Sequence, residues 1–254
     1  MSPAGPSFLE PDWPAPPGVH AAVSLRTGGV SEAPFDSLNV GALAGDVAEH
    51  VAENRRRVRL ALGLRNEPVW LNQLHGAQVL DLDPLAPQPA ATAAPSADAA
   101  VTHCAGRVCA ITVADCLPVL FAARDGRTVG AAHAGWRGLA GGVLEATVRA
   151  LAVPASTLMA WLGPAISQRY FEVGEDVRTA FRAHDPQSAT AFAPNARGRW
   201  QCDLYALARS RLAALGVSAV YGGNHCTYAE RQRFFSYRRD GRCGRMAALI
   251  WIAH

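Results

Sequence analysis

The chain has 254 residues, half of them hydrophobic, and a formal net charge of +3. All 24 of its basic residues are arginines, which removes the primary amine that Schiff-base chemistry, pyridoxal phosphate attachment and the P-loop each require. The arginines are scattered rather than gathered into the stripe of a nucleic-acid-binding module, and no apolar run approaches the length of a membrane span.

Residues 1–18 are rich in proline and are expected to form an irregular arm. Met1-Ser2-Pro3-Ala4-Gly5-Pro6 has no basic region followed by an apolar core, so a secretion signal is not expected and a cytoplasmic protein is. Residues 19–254 are expected to form a single catalytic domain. Short apolar runs predict strands at His20–Leu25, Pro68–Leu71, Val79–Leu82, Ala99–Thr102, Val108–Val113 and Val119–Ala122. Further strands are predicted at Thr128–His133, Thr157–Leu162, Ala219–Tyr221 and Ala247–Trp251. Helical spacing is read at Asp46–Leu62, Leu139–Leu151, Glu175–Ala183 and Asp203–Leu215, the last with an Asp at its N-cap and Gly216 just beyond its end. The stretch Pro84–Ala97, with four prolines, reads as a surface loop. Many strands with about four helices point to a layered α/β or α+β fold. Six cysteines with no Cys-x-x-Cys pair are expected to be free.

Three segments place a metal-capable side chain where an apolar run meets a turn: Asn72-Gln73-Leu74-His75, Ala114-Asp115-Cys116-Leu117-Pro118 and Ala132-His133-Ala134-Gly135-Trp136-Arg137-Gly138. Pro118 cannot donate to a central ladder, so a turn or bulge is expected at residues 114–116. A lone His at a turn or a lone buried Cys is commonly no ligand at all. Two imidazoles and a thiolate together, however, suit zinc with one coordination position left open.

These segments occur in order with Arg26-Thr27-Gly28-Gly29-Val30-Ser31, Ser37-Leu38-Asn39-Val40-Gly41, Glu53-Asn54-Arg55, Gly163-Pro164-Ala165-Ile166 and Phe234-Phe235-Ser236-Tyr237-Arg238-Arg239-Asp240-Gly241. In this the chain resembles the YfiH-like, or multicopper polyphenol oxidase (laccase)-like, family from Val23 to Ile252. The resemblance implies a single-domain α/β/β/α sandwich and a zinc-dependent purine nucleoside phosphorylase, with adenosine deamination as an associated activity. It implies His75, Cys116 and His133 as the metal ligands, and a purine nucleoside and phosphate as partners. Relatives usually carry Thr where this chain has Cys243.

Asp115 is a candidate general base or support for a ligand. Arg137, near a helix start, is a candidate for phosphate binding, and Arg26, Arg55, Arg238 and Arg239 are further candidates. Asn39 and Gln73 are expected to orient substrate, and Phe235, with Trp136, Tyr170 and Tyr237, to offer a stacking face. Three other readings stay open. A copper oxidase is disfavoured because the eight histidines include no His-x-His pair, although copper can substitute for zinc. A metal-free Cys116–His133 hydrolase or amidase acting on peptidoglycan precursors would need a free low-pKa thiol. A binding module with a closed metal site would need a fourth ligand, for which His225 and Cys226 are the spare candidates.

Overall fold

The computed structural model describes residues 5–85 and 94–253. In chain order the strands are β1 (Phe8–Leu9), β2 (Val19–Ser24), β3 (Val79–Asp81), β4 (Ala99–Thr102), β5 (Val108–Val113), β6 (Leu117–Ala123) and β7 (Val129–Ala134). They continue with β8 (Leu158–Leu162), β9 (Glu172–Val173), β10 (Phe192–Pro194), β11 (Trp200–Cys202), β12 (Ala219–Gly222) and β13 (Met246–Ile252). The helices are α1 (Ala48–Ala61), α2 (Trp136–Ala140), α3 (Val143–Ala150), α4 (Glu175–His184), α5 (Leu204–Ala214) and the single turn α6 (Tyr237–Asp240).

A four-stranded sheet runs β1-β2-β13-β5 and a six-stranded sheet runs β12-β8-β6-β7-β4-β3. The period-2 alternation of their side chains explains why the two sheets stack. In β5, Cys109, Ile111 and Val113 join Met246, Ala248 and Ile250 of β13 against Leu120, Ala122, Val129 and Ala131 of the larger sheet. The opposite faces find helices. Val108, Ala110, Ala247 and Leu249 pack on Val58 of α1, while Val119, Phe121, Ala132 and Ala160 pack on Leu139, Leu144, Leu207 and Leu212 of α2, α3 and α5. Burying one Leu, Ile or Phe contributes about 1.5–3 kcal/mol, and three such layers hold the α/β/β/α sandwich together.

Several expectations need correction. The N-terminal arm is only partly irregular: Phe8 and Leu9 pair with Ser24 and Val23, and Asp12 accepts a hydrogen bond from Trp161 Nε1 at 3.2 Å. The helix expected at Leu139–Leu151 begins earlier, at Trp136, and breaks at Gly141–Gly142, where Gly142 takes φ 91°, a conformation that favours glycine. Pro68–Leu71 makes only an isolated bridge, Val69 to Cys109. Pro118 lies inside β6 opposite His133: toward β7 no donor is needed, because His133 turns its N–H to Asp98 O at 2.7 Å, and toward β8 the Tyr205 hydroxyl donates to Gly163 O at 3.0 Å in place of the missing N–H. The small sheet β10-β11-β9 was not expected, since strands of two or three residues are too short to show alternation. Of the loop expected at Pro84–Ala97, residues 86–93 lie outside the described residues, as do residues 1–4 of the arm.

A candidate metal centre in an arginine-lined cavity

The alternation that builds the core also aims His133. It shares the parity of Val129 and Ala131, so it faces the other sheet, at the end of β7 just before α2. Cys116 sits between β5 and β6, behind an Asp115 held at φ 94°, and His75 occupies a turn at φ 61°. Non-glycine residues rarely adopt such angles, and they persist where the surroundings over-determine them. The three side chains converge, their ligand atoms lying within 4.8 Å of one another. Cys116 Sγ is 3.9 Å from His75 Nε2, and the two imidazole rings are 4.7 Å apart at 74°. Gly135 makes this possible: a Cβ there would fall 2.9 Å from Cys116 Sγ and 3.2 Å from His75 Cδ2.

Asp98 holds the arrangement, and the sequence reading did not single it out. Only 1% exposed, its Oδ1 accepts from His75 N–H at 2.9 Å and meets His133 Nδ1 at 2.9 Å. Its Oδ2 accepts from Leu74 N–H at 3.1 Å and Gly76 N–H at 2.7 Å. One carboxylate therefore pins the turn that carries His75 and fixes Nδ1 of His133 as the protonated nitrogen, leaving the Nε2 lone pair for a ligand. Burial alone would raise the Asp98 carboxyl, but the His133 hydrogen bond and the backbone N–H groups outweigh it and hold the group below its ordinary range. Burial likewise acts to raise the Cys116 thiol, and the adjacent His133 and His75 imidazoles reverse that, so the thiol is lowered. His133 is the mirror case: burial acts to lower it, and the Cys116 thiolate and Asp98 raise it. A thiolate is the metal-binding form of cysteine, so the donor set fits a soft divalent ion.

The three residues open into a cavity of about 860 Å³ whose charged lining is Arg55, Arg137, Arg238, Arg245 and Asp115. Asp115 is 8% exposed, and each of its carboxylate oxygens accepts one hydrogen bond. Thr227 Oγ1 donates to Oδ1 at 2.6 Å and Arg238 N–H to Oδ2 at 2.6 Å, which ties the turn bearing Cys116 to α6. Arg137 is exposed and lies over Trp136, its guanidinium carbon 4.6 Å from the ring centre. Gln73 lines the wall, yet its amide is spent docking the turn on β5: Nε2 donates to Thr112 O at 2.9 Å and Oε1 accepts from Thr112 N–H at 2.7 Å.

Four expected substrate residues do not line the cavity. Arg26 donates to Asp36 O and Arg231 O and covers Phe235. Phe235 is fully buried. Asn39 clamps Gly41, Asp46 and Arg245 N–H, and Arg239 donates to the carbonyls of Thr227, Tyr228 and Phe234. Trp136 and Tyr237 do line it, whereas Tyr170 stacks on Tyr228 at 4.4 Å. Cys243 is 1% exposed and off the cavity. His225 pairs with Glu230 and Cys226 accepts from Ser167; among the described residues neither joins the three-residue group.

A sequence model described as "Multi-copper polyphenol oxidoreductase laccase" matches residues 20–253. The chain belongs to that family. It is 52% identical over 247 residues to a protein of Pseudomonas aeruginosa named purine nucleoside phosphorylase, covering 97% of this chain and 98% of the other. To purine nucleoside phosphorylase YfiH of Escherichia coli it is 52% identical, covering 96% and 98%. The crystal structure of a Neisseria meningitidis protein, 50% identical, superposes with a TM-score of 0.91 over 97% of this chain and 99% of that one. No helix among the described residues is long and apolar enough to cross a membrane.

Proposed function

We propose that this chain is a purine nucleoside phosphorylase, converting adenosine, inosine or methylthioadenosine and phosphate to the free base and a pentose 1-phosphate. We further propose that it works with a zinc ion held by His75, Cys116 and His133. The observation that carries the reading is a His–Cys–His group opening into the same cavity as four arginines, none of whose guanidinium groups has a carboxylate within 4.0 Å among the described residues. The names borne by the relatives in Pseudomonas and Escherichia support it.

Zinc bound there supplies a Lewis acid with an open coordination position. Copper of the blue type is disfavoured, because such a site wants a weak axial thioether, and Met159 and Met246 are buried within β8 and β13, off the cavity. Asp98 orients His133 and the turn of His75. The arginines bind phosphate and draw it toward the anomeric carbon, which becomes positively charged as the base leaves. Trp136 and Tyr237 offer flat faces to the purine. Asp115 acts by holding α6 to the Cys116 turn through the bonds that Arg238 N–H and the Thr227 hydroxyl make to its two oxygens. Six free cysteines suit a reducing cytoplasm.

A second reading has one specific observation behind it: without metal, a lowered Cys116 thiol beside a raised His133 describes the thiolate–imidazolium pair of a Cys–His amidase. Product analysis separates the readings. Adenosine and inosine should yield base and ribose 1-phosphate only when phosphate is present. Equal base release in phosphate-free buffer defeats phosphorolysis, and inosine formed from adenosine identifies deamination at the same site.

A further inference from the structure

Among the described residues ten arginines have a carboxylate within 4.0 Å of the guanidinium group, and none of those ten lines the cavity. Of the four that do line it, Arg137 and Arg238 are exposed and already in water, while Arg55 and Arg245 are half-buried. A cation withdrawn from water without a counter-ion is costly, and the cost is offset when an anionic ligand occupies the space in front of it.

Arg55 and Arg245 are also held in place. Arg55 projects from α1, donates Nε–H to Val40 O at 2.9 Å and lies over Trp70, its guanidinium carbon 4.3 Å from the ring centre. Burial lowers its pKa to about 10, so it stays protonated at neutral pH. Arg245 is fixed from the opposite side of the same short segment. Its backbone carbonyl accepts Val40 N–H at 3.2 Å, its stem runs so close under Gly41 that a Cβ there would fall 2.5 Å from Cγ, and its Nη1 donates to Cys243 O at 2.7 Å. Residues 40–41 are thus gripped by both arginines. The remaining donors, Nη1 and Nη2 of Arg55 and Nε and Nη2 of Arg245, make no hydrogen bond among the described residues, and both side chains reach the cavity wall.

We propose that Arg55 and Arg245 together form the oxyanion subsite of the cavity, taking a tetrahedral phosphate, free or as a phosphate ester, between two pre-oriented guanidinium groups. The proposal deepens the phosphorylase reading and rests on it for the ligand's role, but not for the existence of the subsite. Arg137 and Arg238 then act at the mouth, where water competes for them.

Calorimetric titration of the zinc-loaded protein with inorganic phosphate tests the subsite without reference to turnover. Arg55→Lys and Arg245→Lys keep the charge and much of the stem packing but lose the fork that binds two oxygens at once. Each should weaken phosphate binding about tenfold, and Arg55→Gln and Arg245→Gln should do so more severely, with zinc content unchanged. Ribose 1-phosphate should compete with inorganic phosphate for the site. Unaltered phosphate affinity in all four variants, or a larger loss from Arg137→Gln than from any of them, overturns the proposal. If phosphate binds as expected and nucleosides are not cleaved, the subsite stands and the phosphorylase reading falls. If phosphorolysis proceeds with phosphate affinity unaltered by the four variants, the subsite falls and the phosphorylase reading stands.

Discussion

Replacing Asp98 with Asn changes one atom of a side chain that is 1% exposed, and the structure says what that atom costs. Each carboxylate oxygen faces two N–H donors: His75 N and His133 Nδ1 on one side, Leu74 N and Gly76 N on the other. Asn has a single acceptor oxygen, so one orientation sets its NH2 against the donors of Leu74 and Gly76. The other sets it against His75 N–H and forces His133 to accept at Nδ1, which moves the proton to Nε2, the nitrogen needed for a metal. The first orientation loses two hydrogen bonds to a charged group, and the second loses one and the tautomer that frees Nε2. At about 1.5–3 kcal/mol each, Asp98→Asn should lose about 1.5–6 kcal/mol of apo-protein stability. Substitutions behind metal ligands typically lower metal affinity about 10–100-fold, and since Asp98 supports two of the three ligands the upper end is expected. Chelator competition at fixed pH reads the zinc affinity, and thermal unfolding with and without zinc reads the stability. A folded Asp98→Asn protein with wild-type zinc affinity would refute the assignment of Asp98 as the residue that holds the site together.

Asp115 poses a sharper question of role. In Asp115→Asn the Thr227 hydroxyl can turn to accept from the new amide while the amide oxygen still accepts Arg238 N–H, so activity should stay within about tenfold of wild type; Asp115→Ala strands both donors at about 1–3 kcal/mol each and should raise the nucleoside KM with zinc retained. Loss of all turnover in Asp115→Asn, with the fold intact, would mean that the carboxylate is a general base. Gly135→Ala puts a methyl group 2.9 Å from Cys116 Sγ and should displace the thiol, cutting zinc content well below one equivalent while circular dichroism stays native; full zinc occupancy in that variant contradicts the packing argument. With the metal stripped by chelator, Cys116 should alkylate first among the six cysteines, and below the pH at which ordinary thiols react, because its neighbours lower it; zinc should then protect it. Mass spectrometry of modified peptides decides, and preferential modification of the exposed Cys104 would count against the lowered thiol.

Long buried strands were legible in the sequence because their Val, Ala, Ile and Leu runs carry the signal: Ala99–Thr102 and Val108–Val113 have the expected bounds, and α5 has its Asp203 cap, accepting Ala206 N–H at 3.0 Å. The order of layers came from family resemblance, since periodicity reports which faces are apolar and not which sheet they meet. The three-residue group was assembled from turn positions and resemblance in the same way. Asp98 was missed because nothing local marks it: it precedes an ordinary strand, and its partners at residues 74–76 and 133 are remote in the chain. The arginines were equally ambiguous, for a sequence cannot tell Arg239, spent on three backbone carbonyls, from Arg55, which has donors to spare. Pro118 marked the bend at residues 114–116, and β6 still begins before it, at Leu117, because the Tyr205 hydroxyl stands in for the missing N–H at Gly163 O.

The chemistry proposed for the cavity depends on a single zinc held by His75, Cys116 and His133. Elemental analysis of protein expressed without added copper decides whether it is there, on wild type beside Cys116→Ala and His133→Ala. One equivalent of zinc in the wild-type chain, falling to a small fraction in both variants while they remain folded, is the expected result. Zinc well below one equivalent in the wild type, or zinc fully retained after either substitution, would contradict it.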